Sequence, residues 1–142
     1  MNTSQVNAKM KGSKGFIGTY ARDMLPKINK LPASMIINLD ESTRPGSHWV
    51  AIHIGKDKTG TYFDSFGLPP LHVNIIKYLD TSAPNGWCYN NVTLQSVTSD
   101  TCGMFCIFYL KMLSNNFSPN EIINFFFRNT FINDKLVKGY IR

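Results

Sequence analysis

QSVTSDTCGMFCIFYLKML, residues 95–113, changes character at a single position: a polar loop runs up to Thr101, and an apolar run begins at Cys102. Residues 102–113 are too long and too uniformly apolar for an ordinary strand, so they predict a buried central helix. Cys102 then opens that helix, where unpaired N–H groups and the partial positive charge of the helix start favour a thiolate, the attacking form of a thiol. Gly103 has no side chain to hinder the close approach of a substrate backbone. Cys106, four residues on, is expected to point into the core. A cysteine on an apolar helix is by itself more often a small core residue than a nucleophile. Its role therefore turns on what stands near it.

A nucleophilic thiol needs a base. Residues 48–54 (HWVAIHI) alternate with period two, which puts His48, Val50, Ile52 and Ile54 on one face of a strand and Trp49, Ala51 and His53 on the other. His48 opens this strand beside a glycine-containing loop, where an imidazole can face a cleft; His53 points to the opposite face, and His72 sits next to prolines. Residues 55–60 (GKDKTG) supply a hairpin turn and residues 61–64 (TYFD) the returning strand. Asp64 on that strand is placed to accept the second imidazole N–H. A slip of one residue would turn it to the wrong face, and its alternative role is to cap the bend that follows. Gln95, seven residues before Cys102, offers a side-chain amide that can donate to a developing oxyanion together with the Cys102 backbone N–H.

The remaining pattern reads as α+β. Residues 34–39 form a short strand, 40–47 (DESTRPGS) a loop, 71–79 an amphipathic helix and 87–95 another strand. Ser118, Pro119 and Glu121 make a capping box that opens a helix over residues 122–131. Residues 1–14 lack periodicity and read as a flexible arm, and residues 16–26 as a short turn of helix ended by Pro26. The expected organisation is an arm over 1–14 and one domain over 15–142.

The whole chain sets bounds. With 142 residues, 43% of them apolar and only 17% charged, it has enough apolar side chain for a real core, so disorder and a coiled coil are excluded. No apolar run is long enough for a membrane span, and residues 1–15 lack a secretory signal, so an intracellular setting is expected. Three cysteines, with no Cys-x-x-Cys pair, suggest neither a disulfide framework nor a structural zinc site. The net charge of +6 permits contact with nucleic acid, although lysines such as Lys9, Lys27, Lys30, Lys56 and Lys58 are scattered along the sequence.

Taken as a set, His48-Trp49, Asp64, Gln95 and the Cys102-Gly103 helix resemble the adenain family of adenovirus-type maturation proteases and, more distantly, the Ulp-type proteases that process SUMO. The seven-residue gap from Gln95 to Cys102 is nearer the adenain pattern than the usual Ulp gap of six. The resemblance implies an α+β fold, with a small, mostly antiparallel central sheet packed against the cysteine helix. It also implies a Cys102–His48–Asp64 triad assisted by Gln95, and a slot at Trp49 and Gly103 that admits small residues, commonly glycine, before the scissile bond. The implied activity is a cysteine endopeptidase from a virus, virophage or Maverick-type element that matures capsid or scaffold precursors. The expected setting is the host cytoplasm or nucleus, or the virion itself. A monomer with no required cofactor or metal and no membrane contact is expected, with stimulation by DNA or an activating peptide left open. Two departures bear on that last point: the chain is shorter than typical adenains, and Asp64 stands where adenains often have Glu. The rival readings are a processing enzyme or isopeptidase for ubiquitin-like proteins and an inactive nucleic-acid-binding domain.

Overall fold

The structure, a computed structural model, describes residues 1–40 and 48–141. In chain order its elements are α1 (Thr3–Met10), β1 (Phe16–Ala21), β2 (Ala33–Asn38), β3 (Trp49–Ile54), β4 (Gly60–Phe63), α2 (Val73–Ser82), β5 (Trp87–Tyr89), α3 (Cys102–Ser114), α4 (Pro119–Asn124) and α5 (Thr130–Ile141). The strands form one sheet in the order β1-β2-β3-β4-β5. Its central pairs, β2 with β3 and β3 with β4, are antiparallel. A parallel strand is added at each edge, β1 on β2 and β5 on β4. The α+β architecture read from the sequence is the one observed.

Both faces of the sheet are covered, so its central strands are apolar on both sides. On one face Met35, Ile37, Val50, Ile52, Ile54 and Tyr62 pack against Ile75 and Leu79 of α2. On the other, Ile36, Trp49, Ala51 and Phe63 meet Phe105, Cys106 and Tyr109 of α3, and the Phe63 and Tyr109 rings stack with centroids 4.2 Å apart. α3 is further enclosed by Val6 and Met10 of α1 and by Val137 and Ile141 of α5. A helix surrounded in this way needs no polar stripe, which explains why it is apolar from Cys102 to Leu110 and first charged at Lys111. The cysteine helix is thus the centre of one layer.

Several local expectations change. Within the expected flexible arm, residues 1–14, lies α1, capped by reciprocal bonds between Asn2 and Gln5 of 2.8 and 2.9 Å. Only Val6 and Met10, spaced i and i+4, attach it to the core, so the sequence carries little helical periodicity. Residues 16–26 hold strand β1 rather than a turn of helix; its pairing with β2 is irregular between Phe16 and Gly18, and Gly18 has φ +137°. The strand expected over 87–95 stops at Tyr89. The helix expected over 122–131 is instead α4, which does start at the Ser118–Glu121 capping box, followed after a break by α5. The loop expected over 40–47 lies, apart from Asp40, outside the described residues.

Candidate active site

The β3–β4 hairpin fixes the first two site residues. Ala51 pairs with Phe63, and carrying that antiparallel register past the end of β4 sets His48, just ahead of β3, opposite Phe66. The His48 and Phe66 rings are stacked, with centroids 4.9 Å apart. His48 Nε2 lies 2.8 Å from Asp64 Oδ1. The same carboxylate oxygen accepts the Phe66 backbone N–H at 2.8 Å, and the Asp64 carbonyl accepts that of Gly67 at 2.8 Å. Asp64 therefore holds the imidazole and caps the bend after β4 at once. Asn90 clamps the aspartate backbone from β5's side, accepting from Asp64 N at 2.9 Å and donating to Asp64 O at 2.6 Å.

His48 does not follow the face that strand alternation assigned it. Val50, Ile52 and Ile54 point toward α2, whereas His48 meets Cys102 on α3. The alternation ends with the strand, and His48 precedes it. Nε2 is taken by Asp64, which leaves Nδ1 for the sulfur. Burial of the ring works against its charge, yet the hydrogen bonds to Asp64 and Cys102 and their negative charges outweigh it, and the His48 pKa is raised to about 9. The imidazole is thus set to carry its proton at neutral pH.

Cys102 is the first residue of α3 and is 6% exposed. Cys106, one turn on, is fully buried against the Trp49 carbonyl, and burial, with the nearby Cys102 and Asp64 charges, pushes its thiol well up. Gly103 and Trp49 are neighbours: a Cβ at Gly103 would meet Trp49 Cδ1 at 3.9 Å and Met1 Sδ at 3.7 Å, ordinary contacts. The protein itself therefore leaves room for a Cβ at Gly103. Gln95 is buried, with its carbonyl accepting from Ser65 Oγ at 2.5 Å and its amide donating to Ser99 O at 2.9 Å and Ser99 Oγ at 3.0 Å. Its amide is thus engaged by the loop that leads to Cys102. Sequence reasoning did not single out Phe66 or Asn90, since their roles depend on register and on a contact 26 residues away.

The structure brings His48, Asp64 and Cys102 into contact, and Trp49 beside Gly103. Among the described residues, no group of three or more His, Cys, Asp or Glu could hold a metal ion, and no helix is long and apolar enough to cross a membrane.

A thiol at a helix start beside an imidazole that is itself held by a carboxylate, on a sheet backed by that helix, is the arrangement of a cysteine protease fold. Residues 12–137 match the Ulp1 protease family, C-terminal catalytic domain. The chain belongs to that family, a family of cysteine protease hydrolases. No curated protein matches it in sequence. Among solved structures, an ASFV protease is similar at 21% identity and a TM-score of 0.56, over 73% of this chain and 43% of that one. The chain thus spans less than half the length of that protease. The SUMO protease Ulp1, solved with its catalytic cysteine oxidised to a sulfinic acid, is similar at 17% identity and a TM-score of 0.52, over 100% of this chain and 79% of its own. The central domain of Lpg1148 from Legionella pneumophila is similar at 15% identity and a TM-score of 0.56, over 100% and 94%. At these identities the likeness is one of fold.

Proposed function

We propose that Cys102 is the nucleophile of a cysteine endopeptidase, with His48 as its proton carrier and Asp64 as the group that orients His48. The observation that carries this reading is a single imidazole held by Asp64 at 2.8 Å with the Cys102 thiol as its other neighbour. The sulfur attacks a peptide carbonyl, the oxygen's charge is met by backbone N–H at the start of α3 and by the Gln95 amide, and His48 gives its proton to the leaving amine. Water then releases the acyl group. For Gln95 to take part, its amide turns from Ser99 toward the oxyanion. Trp49 and Gly103 form the slot for small residues, commonly glycine, before the scissile bond.

The substrates are capsid or scaffold precursors of the viral or virophage element that encodes the chain, within the infected cell or the virion. The adenain-like spacing of Gln95 and Cys102 supports this setting. The second reading, a protease for ubiquitin-like modifiers, is supported by the similarity to the Ulp1 protease domain solved in complex with Smt3, the yeast ortholog of SUMO, at 15% identity and a TM-score of 0.52. The enzyme acts as a monomer and needs no metal or cofactor. Stimulation by DNA is supported by a cavity of about 690 Å³ on the α2 side, where Lys27 and Lys30 are joined by Lys58 and Lys77 from distant parts of the sequence. Cleavage of Gly-Gly peptides from a co-encoded capsid precursor, compared with release of SUMO or ubiquitin from conjugates and repeated with and without duplex DNA, tests these readings. Precursor cleavage without conjugate cleavage supports the first, and the reverse supports the second. Cleavage of neither rejects both.

A further inference from the structure

Two polar residues side by side on α5, Asn133 and Asp134, are buried, at 0% and 6% exposure. Both face the segment that leads to Cys102. Asn133 Nδ2 donates to the Leu94 carbonyl at 3.0 Å. Asp134 Oδ1 accepts from Ser96 N at 3.4 Å, Ser99 Oγ at 3.2 Å and Thr101 Oγ1 at 3.1 Å. The Ser99 and Thr101 hydroxyls are themselves 2.7 Å apart, and Ser99 in turn takes the Gln95 amide. One carboxylate on the C-terminal helix thus gathers most of the loop between Gln95 and the nucleophile.

Thr101 is the N-cap residue of α3. A threonine there ordinarily has an extended backbone and turns its hydroxyl onto the second or third amide of its own helix. Here it forms no side-chain cap, its ψ is 7°, and its hydroxyl goes to Asp134 and Ser99. Among the described residues, the N–H groups of Cys102, Gly103 and Met104 consequently have no hydrogen-bond partner. These are the amides at which a developing oxyanion next to Cys102 would be received.

We infer that Asp134 is a positioning residue: by drawing the Thr101 and Ser99 hydroxyls toward α5, it keeps the first amides of α3 open. The inference rests on the catalytic reading of Cys102 given above. Asp134 touches no reacting atom. Without it, the Thr101 hydroxyl is free to cap its own helix and compete with the oxyanion.

The test is kinetic and structural together. Asp134→Ala is expected to lower kcat roughly tenfold with KM little changed, since an oxyanion then has to displace one hydrogen bond. Asp134→Asn keeps an acceptor oxygen and is expected to recover most of the rate. In a Thr101→Val background, which has no hydroxyl to form the competing cap, Asp134→Ala should have little further effect. Hydrogen exchange supplies the second readout, with residues 102–104 becoming more protected in Asp134→Ala. An unchanged kcat, or an equal loss in the Thr101→Val background, overturns the inference. If the wild-type protein cleaves no peptide, the catalytic reading fails, and exchange still decides the role of Asp134: unchanged protection at 102–104 rejects it. If Asp134→Ala does not fold, Asp134→Leu, which keeps the side-chain volume but offers no acceptor, supplies the same comparison, and exchange at 102–104 identical to that of the wild type rejects the role.

Discussion

His48 Nε2 and Asp64 Oδ1 stand 2.8 Å apart because each flanks a strand of one hairpin, His48 just before β3 and Asp64 just after β4. The sheet register, rather than a long loop, sets their separation. Cys102 reaches the same point from the other layer, as the first residue of the helix that packs on Trp49, Ala51 and Phe63. The reactive contact therefore depends on the fit between sheet and helix.

This relationship fixes a pH dependence. His48 titrates near 9 in the folded protein, above its ordinary 6.5, so the raised group stabilises the fold fully below about 6.5 and loses that contribution as pH rises toward 9. The kcat/KM profile should show an alkaline limb near 9 as the imidazolium loses its proton. Asp64→Asn removes one source of the upward shift, so the limb should move to lower pH while turnover falls on the order of 10- to 1000-fold. A pH–rate profile of both proteins checks this, and an unmoved limb would return Asp64 to its bend-capping role alone.

Gln95 gives a prediction with two parts. Gln95→Ala should reduce turnover roughly 10- to 1000-fold if the amide serves the oxyanion. It should also lower stability by about 1–3 kcal/mol, because Ser65 Oγ loses its buried acceptor. Steady-state kinetics and urea denaturation separate the two. A stability loss with unchanged kcat would leave Gln95 as a purely structural link between Ser65 and Ser99.

Phe63, fully buried beside Asp64 and stacked on Tyr109, joins the sheet to the cysteine helix. Phe63→Ala should destabilise the protein by about 3–5 kcal/mol. Denaturant titration measures this, and a loss below about 1 kcal/mol would mean that the sheet–helix fit is looser than described.

The capping box at Ser118 makes a smaller prediction. Its hydroxyl accepts from Glu121 N at 3.2 Å while the Glu121 carboxylate accepts from Ser118 N at 3.0 Å. Ser118→Ala should cost about 1 kcal/mol, read in the same titration, with activity unchanged.

The parts of the fold legible in the sequence are those whose pattern is local. Alternation over 48–54 and the turn at 55–60 gave β3 and β4, and the polar-to-apolar change at Cys102 gave α3. α1 escaped notice because two buried residues, Val6 and Met10, make too faint a period, and β1 because its pairing is parallel and interrupted at Gly18. The long strand expected after Trp87 stops at Tyr89, and Asn90 just beyond it turns its side chain onto the Asp64 backbone, a contact no local pattern encodes. The site shows the same division. Residue types and order pointed to Cys102, His48 and Asp64, whereas the supports from Asn90, Phe66 and Asp134 rest on tertiary contacts that no local pattern encodes.

The three cysteines allow a direct test of which thiol is the nucleophile. Cys88 is exposed, while Cys102 and Cys106 are buried, so accessibility alone would make Cys88 the most reactive. The protein is treated with a Gly-Gly peptide bearing an electrophilic carbon at its C-terminus, and the adduct is located by mass spectrometry. Modification is expected at Cys102, lost in His48→Ala, with Cys88 and Cys106 untouched. Labelling that falls on Cys88, or labelling of Cys102 that persists at the same rate without His48, would contradict that assignment.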